Sequence, residues 1–136
     1  MELANMNTSK GPAPGFVNHP DHVVQIVSSD QRWTVRDGGA DLADSRRALL
    51  LEETGYERVI YFPPEDVSLE RLIQNDDRTT CPFKGEARYF VHADAKNGQP
   101  LAWSYPSVFD EVAPIKGYIA FYEDRVELLE EPTNGD

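Results

Sequence analysis

The run "TTCPFKGEARYFV", Thr79 to Val91, concentrates the chemistry available to this chain. It holds the single cysteine, Cys81, with Lys84 three residues on and Gly85 at a turn before a strand-like segment. A thiol becomes a nucleophile when nearby positive charge favours its thiolate, and a tight turn at Pro82 to Gly85 would bring the Lys84 ammonium near. Gly85 suits a backbone angle closed to other residues. The bland alternative for Cys81 is a small buried hydrophobe at a strand start, and no second cysteine exists to resolve an oxidised one. His92 is the best general-base candidate, placed by "YFVHA" on the strand face of Phe90. Cys81 and His92 are therefore the catalytic candidates, with Lys84 in support.

Other residue types suit binding rather than reaction. Lys84 at a turn could meet an anion. In "SRRALLLEE", a strand would put Arg47, Leu49, Leu51 and Glu53 on one face. An arginine facing a pocket holds a carboxylate or phosphate through paired hydrogen bonds, whereas an edge-strand charge merely blocks aggregation. Trp33, Tyr61, Tyr89, Trp103, Tyr105, Tyr118 and Phe121 supply rings; most belong to a core, but the polar tips of Tyr and Trp also suit a pocket that stacks a flat ligand. Trp103 and Tyr105 share a strand face. His19, Asp21 and His22 invite a metal reading, but adjacent ligands in a flexible segment lack the geometry and the supporting contacts. No metal and no cofactor are expected.

The elements that must position these residues are mostly strands. "HVVQIV" is short and β-branched, and "QRWTVRD" alternates. "DGG" at Asp37 to Gly39 reads as a hairpin turn, with "ADLADS" returning. Arg46 to Glu53 is read as strand rather than helix. "RVIYFP" is a strand ended by Pro63. "PPEDVSLERLIQ" has proline at its start, acids in its first turn and apolar residues near helical spacing, which predicts one short helix near residues 64–74. "NDDRTTCPFKG" then reads as a loop. "EARYFVHA" and "PLAWSYP" flank a turn at "KNGQ", "SVFDEVAPIK" holds a helical turn, and "GYIAFY" and "RVELLE" close the chain as a hairpin across Glu123 and Asp124. The expectation is an all-β domain of short antiparallel strands, barrel- or sandwich-like. Residues 1–18 read as a flexible lead-in, 19–131 as one domain and 132–136 as a flexible tail.

Length and composition narrow the function classes. The chain has 136 residues and a net charge of -11, with 40% hydrophobic residues. That suits one domain with its own core. The acidity argues against nucleic acid, which needs a basic stripe. One cysteine excludes an internal disulfide and a four-cysteine zinc site. No apolar run approaches the roughly 20 residues that span a bilayer, and "MELANMNTSKGPAPG" carries no apolar signal region. Cytoplasmic location and no membrane partner are the expectations.

The order "GGADLADSRRALLLEETGY", "VIYFPPEDV", "TTCPFKGEARYF", "WSYP" and "IKGYIAFYEDRVEL" resembles the bacterial domain-of-unknown-function family 427 from about His19 to Leu129. "YFPPEDV" and "CPFKGEARY" are the most specific blocks. The resemblance implies a small β-tent-like domain whose strands splay around a pocket. Some β-tent relatives hold zinc through cysteine pairs, which a lone cysteine cannot do, and some hold small ligands in an aromatic cage. A nucleotidyltransferase-like label for the family finds no support here. Neither a Gly-Ser element with spaced carboxylates nor a phosphate-binding G-x-x-x-x-G-K-[ST] loop is present.

Together these readings predict a small-molecule-binding domain with its pocket beneath the "TTCPFKG" loop. Arg47, Tyr61, Cys81, Lys84, Tyr89 and Trp103 are the expected lining, for a ligand with an anionic group and a flat part. The alternatives are a cysteine-dependent enzyme using Cys81, and an interaction module that forms a homodimer through an edge strand.

Overall fold

The computed structural model describes residues 11–132. It contains ten strands: β1 (Val24–Ser28), β2 (Gln31–Asp37), β3 (Ala40–Ser45), β4 (Leu49–Glu53), β5 (Val59–Phe62), β6 (Leu72–Cys81), β7 (Gly85–His92), β8 (Ala102–Val108), β9 (Ile119–Phe121) and β10 (Glu127–Pro132). They form a seven-stranded sheet, β1-β4-β5-β9-β8-β7-β6, and a three-stranded sheet, β10-β2-β3. Every strand pairing is antiparallel. The chain is thus all-β, and the larger sheet ends on β1 and β6 without closing into a barrel. No described helix is long and apolar enough to cross a membrane.

Alternation along the strands gives the larger sheet two unlike faces. Ile60, Phe62, Ala102, Ile119 and Phe121 pack with Trp33, Val35 and Leu42 of the smaller sheet. The intervening residues Tyr61, Trp103, Tyr105 and Ala120 point the other way, where they meet Leu51, Val108, Val112 and Ile115. Val112 and Ile115 come from a 3-10 segment, Asp110–Ile115, that lies against this second face. The β2–β3 hairpin turns where "DGG" predicts, with Gly38 and Gly39 at φ of 60° and 87°.

Three expectations change. The helix expected near residues 64–74 is two single 3-10 turns, Pro64–Asp66 and Leu69–Arg71, and Leu72 already opens β6. A helix this short has little stability of its own. Strand contacts take its apolar residues instead: Val67 bridges Ala43, and Leu72 and Ile73 pair with His92 and Val91. Strand β6 accordingly absorbs most of the loop expected before Pro82. Second, β9 and β10 do not form a hairpin, because β9 lies between β5 and β8 whereas β10 crosses to pair with β2. There Leu128 packs against the core between the sheets.

The third change concerns the lead-in. Residues 1–10 and 133–136 lie outside the described residues. Residues 11–18, expected to be flexible, are docked. Gly15 N–H donates to Pro82 O (3.0 Å), Asp110 N–H to Gly11 O (2.9 Å) and Ala13 N–H to Glu111 Oε1 (2.9 Å). Ala13 is buried, and the one-turn helix α1 (Gly15–Asn18) brings Phe16 edge-on to Phe83 with ring centroids 4.9 Å apart. A side chain at position 15 would come within 2.6 Å of the Phe83 ring, so glycine is required for this approach.

Candidate functional site

The second face of the larger sheet carries a cavity of about 520 Å³. Its floor is a row of rings set by strand register. Tyr61 on β5 pairs with Ala120 on β9, which pairs with Trp103 on β8, which pairs with Tyr89 on β7. The small Ala120 side chain lets the flanking rings meet above it: Trp103 Nε1–H donates to the Tyr61 hydroxyl at 3.3 Å, with the rings edge-on. Tyr89 shares a 2.6 Å hydrogen bond with Thr79 Oγ1. Tyr105 and Tyr122 complete the ring lining. Burial pushes the Tyr61 phenol well above its ordinary range despite the hydrogen bond from Trp103, and the Glu53 carboxylate pushes the same way. Burial does the same to Tyr105. Both hydroxyls therefore stay protonated donors at neutral pH.

One feature of Tyr105 is chemically telling. Only 8% of the residue is exposed, it lines the cavity, and its hydroxyl makes no side-chain hydrogen bond among the described residues. A hydroxyl on a cavity wall that no side chain engages offers both a donor and an acceptor to a bound molecule.

A charged wall faces the rings. Lys84 Nζ donates to Glu53 Oε1 at 2.5 Å, and Glu53 Oε2 accepts from His22 Nε2 at 2.8 Å. Only 8% of the Glu53 side chain and 11% of the Lys84 side chain are exposed. The His22 ring stacks on Phe83 at 4.0 Å. Lys84 Nζ also lies 4.0 Å from Cys81 Sγ. The turn that makes this possible is braced by Lys84 N–H on Cys81 O and Phe109 N–H on Lys84 O. Gly85 follows at φ 139°, where an added Cβ would stand 2.5 Å from Ser107 O, so only glycine lets β7 start against β8 here. Glu53 reaches the wall by the strand alternation of Leu49, Leu51 and Glu53, and its carboxylate balances the buried ammonium.

A family model described as Domain of unknown function (DUF427) matches residues 25–132. The chain belongs to this family. No curated protein matches the chain. The family match spans Glu53, the ring floor, Cys81 and Lys84, and leaves His22 and the docked segment before it outside.

Of the residues expected to line a pocket, Tyr61, Cys81, Lys84, Tyr89 and Trp103 come together around this one cavity. Arg47 does not join them. The chain bends at Arg46 and Arg47 and β4 begins only at Leu49, so the alternation expected from Arg47 to Glu53 is broken at its first member. The Arg47 guanidinium instead pairs with Asp66 at 3.0 Å. His92 does not serve Cys81 either. Cys81 pairs with Gly85 at one end of the β6–β7 hairpin and His92 with Leu72 at the other, a separation of roughly 20 Å at the strand rise. The cationic partner near the thiol is Lys84, and the nearby histidine is His22.

Glu53, His22, Phe83, Tyr105 and Tyr122 are wall residues that the expected lining omits. Glu53 was within reach of the strand pattern, and Tyr105 of the face it shares with Trp103. His22 and Phe83 had no such signal, because the fold of residues 11–22 against the loop brings them in. The "NHPDH" cluster does not act as a unit: His22 turns to Glu53 and Phe83, while His19 contacts Phe83 at a ring separation of 6.2 Å.

Proposed function

We propose that this domain binds a small flat molecule in the ring-lined cavity. The observation that carries the proposal is the ring floor built from Tyr61, Tyr89 and Trp103, with Tyr105 beside it on the cavity wall and its hydroxyl engaged by no side chain among the described residues. Rings with polar tips offer both stacking and hydrogen bonds, and a concave site lined mainly by such rings with a few polar groups is the usual form of a small-molecule site. In this reading Lys84 is not the group that receives an anion. Its ammonium is already matched by Glu53, and an anion would have to displace a nearly buried carboxylate to reach it. The Lys84–Glu53 pair instead serves as a polar rim.

The test is a titration with N-phenyl-1-naphthylamine, a flat uncharged fluorophore. Saturable one-to-one binding is expected, weakened at least tenfold by Trp103→Ala. Binding that does not saturate, or that ignores Trp103→Ala, would overturn the proposal.

A second reading is favoured by the 4.0 Å approach of Lys84 Nζ to Cys81 Sγ: the thiolate is the reactive group of the cavity. Rates of iodoacetamide alkylation against pH decide it. A Cys81 that reacts several-fold faster than a free thiol at neutral pH, and slows in Lys84→Met, supports nucleophilic chemistry. A slow thiol indifferent to Lys84 leaves binding alone.

A further inference from the structure

A second cavity, of about 420 Å³, adjoins the first and shares Tyr89 and Tyr122 with it. Its other walls differ in charge: Arg78 and Arg125 face Asp77. Two guanidinium groups against one carboxylate make it locally positive within a chain of net charge -11. The first cavity has the opposite balance, with Glu53 and Glu57 against Lys84.

The two arginines are unlike in a useful way. Arg125 is held in place. Its guanidinium lies 4.1 Å from the Tyr122 ring centroid, Nη1 donates to Pro100 O at 2.7 Å, and Nε and Nη2 reach the Gln99 amide oxygen at 3.2 Å once that amide is turned to accept. This leaves one N–H free on each terminal nitrogen. Arg78 makes no side-chain hydrogen bond or ion pair among the described residues. It stands where β6 regains register with β7 after the irregular stretch from Gln74. Asp77 forms no ion pair with either one; its hydrogen bonds are with Asn75, its N–H donating to Asn75 Oδ1 and its Oδ2 accepting from Asn75 Nδ2, so its carboxylate offsets only one of the two positive charges.

We infer that the site takes a two-part ligand, a planar ring system in the first cavity carrying an acidic group that Arg78 and Arg125 hold in the second. This rests on the small-molecule reading above and names the ligand class, an aromatic acid. A fixed arginine and a free one suit the task. Arg125 presents N–H groups without loss of side-chain freedom, and Arg78 closes on the anion with a fork of donors that matches carboxylate, sulfonate or phosphate geometry. Tyr89 and Tyr122 at the shared wall set where the ring part ends and the acidic part begins.

Two fluorophores with one ring system test it: N-phenyl-1-naphthylamine, which is neutral, and 8-anilinonaphthalene-1-sulfonate, which adds a sulfonate. The wild-type chain should prefer the sulfonate, and the preference should shrink as salt screens it. Arg78→Gln should weaken sulfonate binding about fivefold, the upper range for a partly exposed ion pair, and leave the neutral probe unchanged. Arg125→Gln should weaken sulfonate binding by a similar factor and more than it weakens the neutral probe, and Arg125→Lys should recover part of the loss. Neutral binding that depends on Trp103, with no preference for the sulfonate or with both probes equally affected by the arginine variants, overturns this inference alone. Failure of the neutral probe to bind overturns the pocket reading and the inference with it.

Discussion

The two faces of the seven-stranded sheet use the same strands to opposite ends. On one, Ile60, Phe62, Ala102, Ile119 and Phe121 interlock with the smaller sheet, with Phe62 and Phe121 edge-on at 5.7 Å. On the other, the neighbouring residues Tyr61, Trp103 and Tyr105 border open space and carry hydroxyl and indole N–H groups. A closed apolar face contributes stability through area removed from water and close packing. An open face of ring edges and polar tips contributes less stability and retains groups that a ligand could satisfy. The sheet thus divides its two jobs by residue parity.

The comparison is broken most directly by truncation on each face. Phe62→Ala, in the closed face, is expected to lower unfolding stability by about 3–5 kcal/mol. Trp103→Ala, bordering the cavity, should cost about 1–2 kcal/mol because its ring is only half buried and leaves less new void. Equal costs in denaturant unfolding would show that the second face is packed as tightly as the first.

The charged wall comes next. Lys84→Met leaves the Glu53 carboxylate nearly buried and without its cation, which should cost about 3 kcal/mol. Replacing both residues together, Lys84→Met with Glu53→Leu, should recover most of that loss. If the double variant is as unstable as the single, the ammonium acts through packing and not through the pair. Gly85→Ala should cost about 1–3 kcal/mol, since the backbone is held at a positive φ and the new Cβ meets a carbonyl oxygen.

Tyr105→Phe sharpens the comparison. Removing a hydroxyl that no side chain engages should leave stability nearly unchanged, while weakening binding of a hydrogen-bonding ligand. A clear loss of melting temperature would mean that the hydroxyl is structural.

The smallest effect lies away from both faces, at Asp66. Burial raises its carboxyl, but hydrogen bonds from Arg47 and Ser45 outweigh that and hold it below the usual range. A depressed folded-state value contributes stability above the ordinary carboxyl range, lost as pH falls through the folded value. Asp66→Asn should therefore lower stability slightly at neutral pH and leave it close to wild type at acid pH, where the carboxyl is protonated folded or unfolded, which flattens the acid limb of the stability curve, as thermal melts between acid and neutral pH would show.

Strand content and much of the ring floor were legible from residue order, because alternation is a local property. Tyr61, Trp103 and Tyr105 follow from period two once their strands are recognised, and Gly38, Gly39 and Gly85 mark turns through their backbone freedom alone. Proximity in sequence also determined the Cys81–Lys84 approach, since a three-residue turn leaves few other places for the lysine. The tertiary structure decided what sits opposite. It brought Glu53 and His22 to Lys84, carried Arg47 away to Asp66, and separated His92 from Cys81 by the length of a hairpin. It also drew residues 64–74 out of the helix that their spacing suggests, because strand pairing and the core between the sheets offered their apolar side chains more burial than one free helical turn could. Pairing between distant strands depends on loop paths and on the competition for buried area, and neither is written in any short window of the chain.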